Sequence, residues 1–225
     1  MRSDWQSCSI WAGKCCVHDG MIRRVRFAPG AQWVLPILLA APALHAQQVA
    51  AKFDPAASSV KFTLGATLHT VHGTFKMKSG EIRVDEGTGA ASGTIIVDAT
   101  TAGTDNSSRD HKMHTDVLES AKFPEIVFAP KQISAASGQS LKTILEGKGT
   151  GQVQAAGIFR LHSQEHEITL NLSVENDGKG QVHLTGTFPV PYVKWGLKNP
   201  STFVLRVSDT VSLELDARAE ISAAH

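Results

Sequence analysis

Cysteine is almost absent from this chain. Its three cysteines, Cys8, Cys15 and Cys16, all precede a second methionine, Met21. The chain beyond Met21 can therefore form no disulfide and has no cysteine nucleophile. A zinc or thiol site built from the three is one interpretation of the first segment. We favour the interpretation that the assigned start of the protein is too early and that Met21 is the true first residue. Without cysteines, the chain must then be stabilised by its hydrophobic core alone.

The chain also lacks a charge bias and a catalytic motif. From Gln47 onward there are 17 Lys and Arg residues and 19 Asp and Glu residues, a net charge of −2. A nucleic-acid-binding protein would need a basic patch or stripe. The Gly-x-Ser-x-Gly turn of a serine nucleophile does not occur. No acidic residue stands in an apolar setting that would suit it to general acid catalysis. We therefore expect no enzyme, no cofactor and no nucleic-acid partner.

No apolar run reaches the roughly 20 residues that a membrane-spanning helix needs. The run Val34–Ala43 is short, and three arginines precede it between residues 23 and 26. A basic start, a short apolar stretch and small residues after it are typical of a secretory signal peptide. A membrane anchor that stays attached is the alternative interpretation.

The expected cleavage lies between about Ala43 and Ala46. Residues 1–46 would then be a dispensable extension plus a signal peptide spanning about 21–46. The mature protein would be located in the periplasm or secreted.

Apolar and polar residues alternate along most of the chain from Ser59 to Ile221. Alternation over four to eight residues predicts β-strands with one buried face and one solvent-exposed face. This arrangement is common in antiparallel sheets. We expect eight to ten strands, closed as a barrel or folded as a sandwich. Small residues on the apolar face, such as Gly73 and Gly186, favour the barrel. The polar, glycine-rich stretch Gln132–Gly151 is interpreted as a long exposed hairpin loop.

The segment Asn106–Phe128 interrupts this pattern with one helix. Ser107-x-x-Asp110 resembles a capping box, and Pro124 predicts the end of the segment because the residue before a proline is pushed towards extended geometry. Between them, a narrow apolar stripe should rest on the barrel as a lid. The stripe consists of Met113, Val117 and Leu118.

Four motifs resemble the YceI family of exported, lipocalin-like bacterial proteins. They are Phe53-Asp-Pro-x-x-Ser-x-Val-x-Phe62, Arg109-Asp110, Lys122-Phe-Pro-Glu-Ile-x-Phe128 and Gly157-Ile-Phe-Arg-Leu-His162. Two positions depart from the family pattern. Ser163 replaces the usual Gly, and Lys-Met-His-Thr replaces the usual His-Leu-Arg-Ser of the helix.

The resemblance implies an all-β fold, an antiparallel lipocalin-like β-barrel of about eight strands with one short α-helix inserted between strands. It covers about residues 50–222. The family's barrels hold a polyisoprenoid chain in a long apolar cavity and have no established enzyme chemistry. The implied function is an exported carrier or store for such a lipid. Transient contact with a membrane is expected, and an open strand edge would favour a homodimer.

Apolar residues on the inner face of the predicted strands, with Trp195 at a rim, are the expected ligand contacts. They are Phe62, Leu64, Val71, Phe75, Met77, Leu170, Leu172, Leu184, Phe188, Trp195, Leu213 and Leu215. The alternative is that these side chains fill a solid core. The protein would then act through its surface, in a structural or stress-response role.

Histidine pairs raise a third interpretation, a metal binder. His111 and His114 are three residues apart on the predicted helix and could share a face, with Asp110 or Asp116 near them. Metal sites need three or four ligands, so we interpret the pair as a solvated face and expect no metal. His162 and His166 flank a predicted tight hairpin and could approach each other, but surface imidazoles are the simpler interpretation.

Overall fold

The computed structural model describes residues 47–136 and 138–224. The three cysteines and the predicted signal peptide lie outside this part. The order of its helices and strands is β1 (Gln48–Phe53), β2 (Ser59–Gly65), β3 (Thr70–Asp85), β4 (Ala91–Gly103), α1 (Ser107–Lys112), a π-helical turn (Met113–Val117), β5 (Glu125–Ala135), α2 (Leu141–Glu146), β6 (Gly149–Leu161), β7 (Gln164–Asn176), β8 (Gln181–Val190) and β9 (Val211–Ala224). None of the described helices is long and apolar enough to cross a membrane.

The strands form one antiparallel sheet that closes on itself. Their order is β1-β3-β2-β9-β8-β7-β6-β5-β4, with further pairings of β3 with β4 and of β1 with β9. Strands β1 and β2 pair with successive stretches of the same two neighbours, β3 and β9, so they share one position in the wall. The result is a closed barrel with eight strand positions, which confirms the predicted fold. Such a barrel has room inside for packed side chains or one small ligand.

The two ends of the barrel carry different connections. The β2–β3, β4–β5, β6–β7 and β8–β9 connections lie at one end, here termed the mouth end, because consecutive strands from β2 to β9 are antiparallel. The β3–β4, β5–β6 and β7–β8 connections lie at the far end. The long connections β4–β5 and β8–β9 therefore meet at the mouth end.

The β6–β7 hairpin is paired without a break up to its turn at the mouth end. His162 and Ser163 form that turn, with φ angles of 53° and 60°. Positive φ at both positions is typical of a type I′ turn, whose twist matches that of the flanking strands. Strands β7 and β8, in contrast, pair only between Ser173–Asn176 and Val182–Thr185.

The prediction of a loop over residues 132–151 is wrong. This stretch contains the end of β5, helix α2 and the start of β6. Leu141 and Ile144 of α2 are buried, and a Cβ atom on Gly151 would lie 2.6 Å from Ile144 Cγ1. Asn176 Nδ2 donates to two carbonyl oxygens of α2, at 3.3 and 2.7 Å. Helix α2 therefore packs closely against the far end of the barrel.

Candidate functional site

A cavity of about 420 Å³ lies at the mouth end. Its walls come from the mouth-end halves of the strands, from the β8–β9 connection and from residues 104–120, here termed the lid segment. Its apolar and aromatic lining consists of Phe62, Leu64, Ala66, Val71, Phe75, Met113, Val117, Leu118, Ile126, Phe159, Leu161, Val190, Tyr192, Leu197, Pro200, Leu205, Val207, Val211 and Leu213. The barrel interior is therefore not packed solid at this end.

Polar lining residues come from the lid segment and the loops at the mouth. Two of them are charged, Arg109 and Lys112, and both are cationic. The other polar members are His69, Thr104, Asn106, Ser108 and Thr202. The cavity thus combines an apolar body with polar groups from the lid segment and the mouth loops, an arrangement that fits a long apolar molecule with a polar end group.

Helix α1 begins at Ser107, and its N-cap is Asn106 instead of the predicted Ser107. Asn106 Oδ1 accepts a hydrogen bond from the backbone nitrogen of Arg109 at 3.0 Å. Asp110, predicted as the second half of a capping box, instead accepts from the backbone nitrogen and hydroxyl of Thr104, at 2.9 and 2.6 Å. The Asp110 carboxylate therefore connects α1 to the segment that leaves β4.

The helix continues as one π-helical turn, in which Leu118 N donates to Met113 O at 2.8 Å. The predicted stripe of Met113, Val117 and Leu118 falls in and just after this turn, and all three side chains line the cavity. Single π-helical turns occur frequently at functional sites. The wider turn changes which side chains share a face, and here it places the stripe on the cavity.

Two histidines attach the lid segment to the barrel. His114 Nε2 donates to the carbonyl oxygen of Ala102 in β4 at 2.8 Å, and His114 Nδ1 lies 2.9 Å from Ser120 Oγ. His162, in the β6–β7 turn, donates from Nε2 to Glu119 Oε2 at 2.7 Å.

Glu119 also accepts a hydrogen bond from Lys122 Nζ at 2.6 Å. The hydrogen bonds from Lys122 and His162 hold the pKa of Glu119 below its ordinary value. The ring of Phe123 packs on His162 with centroids 4.0 Å apart. A charged contact from Glu119 therefore fastens the C-terminal end of the lid segment to the β6–β7 turn, and an aromatic contact from Phe123 fastens the residues just after it.

The β8–β9 connection is fastened by Tyr192. Its hydroxyl donates to the carbonyl oxygen of Ser208 at 2.8 Å. Burial, with a smaller contribution from Asp209, raises the pKa of Tyr192 to about 12. The phenol therefore stays protonated and keeps donating at physiological pH, which holds this side of the cavity wall.

An aromatic group lies behind the lining residue Phe159. Trp195 and Phe188 pack against Phe159 with centroid separations of 5.6 and 6.4 Å. Trp195 also stacks on His166 at 4.2 Å, with the two rings 6° from parallel. Trp195 thus sits beside the stretch where β7 and β8 do not pair, and it supports the wall without lining the cavity.

The twelve expected ligand contacts divide into two sets. Phe62, Leu64, Val71, Phe75 and Leu213 line the cavity. The other seven lie outside the lining: Met77, Leu170, Leu172 and Leu215 are buried core residues, and Leu184, Phe188 and Trp195 pack partly buried against that core. The two sets differ in their depth along the barrel axis, because side chains on the same face of a strand lie at different distances from the mouth end.

Sequence reasoning missed much of the lining. Phe159 and Leu161 follow the same alternation in β6, so their inward direction could have been found. The contribution of Leu205 and Val207 could not, because they lie in an irregular connection with no periodicity.

The histidine pairs are not brought together as metal sites. Both ring nitrogens of His114 already have protein partners, whereas His111 is exposed. His162 and His166 contact Glu119 and Trp195, respectively. Within residues 47–136 and 138–224, no group of three or more His, Cys, Asp or Glu side chains is placed to hold a metal ion.

A model of the YceI-like domain matches residues 52–219, most of the barrel and the whole lid segment. The chain belongs to the YceI-like family. This confirms the resemblance inferred from the Arg109-Asp110 and Lys122–Phe128 motifs. A search of curated proteins found no match to this YceI-like chain.

Two solved structures share the fold of this YceI-like barrel. BcnA of Burkholderia cenocepacia has a TM-score of 0.58 at 14% identity, covering 74% of this chain and 98% of BcnA. A polyisoprenoid-binding domain from Saccharophagus degradans, implicated in plant cell wall breakdown, has a TM-score of 0.56 at 14% identity, covering 76% of this chain and 98% of that domain. At this identity the likeness concerns the fold.

Proposed function

We propose that this protein is an exported, non-catalytic binding protein that holds a long apolar lipid, with a polyisoprenoid as the expected ligand, as a carrier or a store. The observation that carries the proposal is the cavity, whose body is apolar and whose polar lining residues belong to the lid segment and the mouth loops. The apolar chain would lie among Phe62, Phe75 and Leu213. Its polar end would lie near Arg109 and Lys112.

The size of the cavity bounds what it holds in this conformation. Its volume of about 420 Å³ lies within the range of roughly 300–1,000 Å³ that small-molecule sites occupy. At about 30 Å³ for each water-sized group, it has room for on the order of fourteen such groups, or about three isoprene units. A longer chain would displace the lid segment or extend through the mouth.

The energetics suit a carrier. Each buried methylene contributes about 0.8 kcal/mol relative to water, so an isoprenoid strongly prefers the cavity to solution. A lipid bilayer offers the chain similarly apolar surroundings, so transfer between bilayer and cavity is close to neutral. A barrel of this kind retains its ligand against water and still exchanges it with a membrane.

The direct test is organic extraction of protein purified from its native host, followed by mass spectrometry. A bound lipid with a prenyl chain, present at close to one molecule per barrel, is the expected result. Repeated recovery of empty protein that also takes up no isoprenoid from detergent micelles would sink the proposal. It would leave a barrel that acts through its surface.

Export has a separate test. The full chain should appear in the periplasm or medium in a form shortened by about residues 1–46, which N-terminal sequencing would identify. A full-length chain retained in the cytoplasm would contradict export without affecting lipid binding.

A further inference from the structure

Three large apolar side chains project into solvent at the mouth end. Leu68 is 77% exposed, Phe203 101% and Val204 79%, and they are the large exposed hydrophobic residues of the described chain. We term them the apolar tip. Exposed apolar clusters on a soluble domain commonly mark an interaction site.

The apolar tip comes from two loops that are joined to each other. Ala66 and Val207 form an isolated antiparallel bridge. Thr67 N donates to the carbonyl oxygen of Arg206 at 2.9 Å, and Arg206 N donates to Thr67 Oγ1 at 3.1 Å. The β2–β3 and β8–β9 connections therefore present their apolar side chains as one surface.

Phe203 and Val204 occupy the two central positions of a tight turn. Thr202 N donates to Leu205 O at 2.8 Å, and Leu205 N donates to Thr202 Oγ1 at 3.1 Å. Gly, Pro, Asn, Asp and Ser dominate turns because their chemistry suits the backbone there. The aromatic Phe203 and the β-branched Val204 are exposed at these positions and gain no burial in the fold.

The apolar tip is continuous with the mouth of the cavity. Ala66 and His69 stand on either side of the loop that carries Leu68, and both line the cavity. Thr202 and Leu205 flank the Phe203–Val204 pair, and both line it too. A surface that covered the apolar tip would therefore also cover the cavity opening.

Cationic side chains lie in the connection that carries Phe203 and Val204. Lys198 and Arg206 are exposed in the same connection, and neither has an ion-pair partner among the described residues. The acid of this connection, Asp209, accepts a hydrogen bond from Asn199 Nδ2 at 2.6 Å. Apolar side chains beside Lys and Arg are the pattern that binds the interface of an anionic membrane.

We propose that the apolar tip docks the mouth of the barrel on an anionic phospholipid bilayer. Leu68, Phe203 and Val204 enter the boundary between headgroups and acyl chains, while Lys198 and Arg206 contact lipid phosphates. A ligand then passes between bilayer and cavity without its chain meeting water. This inference rests on the proposed function, since it concerns how that cavity is loaded.

The test measures binding of the purified protein to vesicles of phosphatidylethanolamine and phosphatidylglycerol by co-sedimentation. The double variant F203S/V204S should lose most vesicle binding. K198Q/R206Q should bind these vesicles more weakly by roughly fivefold for each cation removed, with little change on phosphatidylcholine vesicles. K148Q/K179Q, which removes two exposed cations at the far end, is the matched control and should bind like wild type.

A second measurement separates docking from ligand binding. An isoprenoid supplied in detergent micelles should fill wild type and F203S/V204S equally, but transfer from vesicles should be at least about tenfold slower in the variant. Docking would be overturned if wild type and F203S/V204S had equal transfer rates. It would also be overturned if wild type filled from micelles but did not bind vesicles. A tip variant that instead loses a homodimer in light scattering would also overturn it, in favour of a second copy. Vesicle binding by a protein that never takes up isoprenoid would support docking and refute the proposed function.

Discussion

The imidazole of His162 and the carboxylate of Glu119 meet at 2.7 Å, between the β6–β7 turn and the end of the lid segment. They are far apart in sequence, and their bond fastens the end of a segment that lines the cavity. The strength of this contact should therefore affect how readily the lid segment moves, and with it how fast a ligand leaves.

Replacing Glu119 by Gln should speed ligand release several-fold, because the amide keeps the shape of the side chain but loses the charge-assisted bonds to His162 and Lys122. Release of a bound isoprenoid to acceptor vesicles measures this. E165Q makes the same chemical change at an exposed position beside the same turn and should release at the wild-type rate. Identical rates for the two variants would show that the contact does not restrain the lid segment.

Acid should destabilise the protein through carboxylates whose pKa is lowered in the folded state. Lys122 and His162 lower the pKa of Glu119 from 4.5. The backbone nitrogens of Lys179 and Gln181 lower that of Asp177 from 3.8. The unfolded state then binds more protons in this range, so the stabilisation is complete above the unfolded pKa and is lost as the pH falls through the folded pKa.

Denaturant unfolding should therefore give a constant free energy above about pH 5 and a falling one below 4.5. D177N should be less stable at neutral pH and show a shallower decrease in acid. A variant curve parallel to that of wild type would exclude Asp177 as a source of the acid sensitivity.

Filling the cavity should reduce lipid binding at little cost in stability. Val71 lines the cavity, so in V71W the larger ring enters open space and competes with the ligand. Leu172 is buried outside the lining, so L172W should overpack the core and lose about 1–3 kcal/mol or more. Lipid content per protein and denaturant unfolding distinguish the two. If V71W were as destabilised as L172W, the space would not be available to a ligand.

Helix α2 should matter for stability and not for binding. Truncation of the buried Ile144 to Ala should cost about 2–5 kcal/mol, because the side chain fills the space over Gly151 at the far end. Lipid content of the folded fraction should be unchanged. L141A, on the same buried face, should behave alike; loss of lipid from still-folded I144A protein would connect the far end to the cavity.

The sequence predicted antiparallel strands, in a barrel or a sandwich, because their signal is repeated along the chain. Residues such as Val60, Phe62 and Leu64 alternate with polar neighbours, and a period of two has one structural meaning over such lengths. Helix α2 gave no such signal. Its six residues bury only Leu141 and Ile144, and it lies between glycines in a polar stretch, so local composition favoured a loop.

The stripe of Met113, Val117 and Leu118 could be identified from spacing, but its cap was misplaced by one residue. Asn106 and Ser107 are both good N-cap residues, and only the backbone decides between them. The π-helical turn could likewise not be predicted, because the spacing of apolar residues does not show where a helix contains an extra residue per turn.

By itself, the sequence determined which residues face inwards, because alternation along a strand is a local property. The tertiary structure decided how far each of them lies from the mouth. Phe62 and Leu215 have the same inward direction, yet Phe62 lines the cavity and Leu215 packs in the core. Only the tertiary structure joined the loop of Leu68 to the loop of Phe203 and Val204, because loops without periodicity are placed by hydrogen bonds between distant residues.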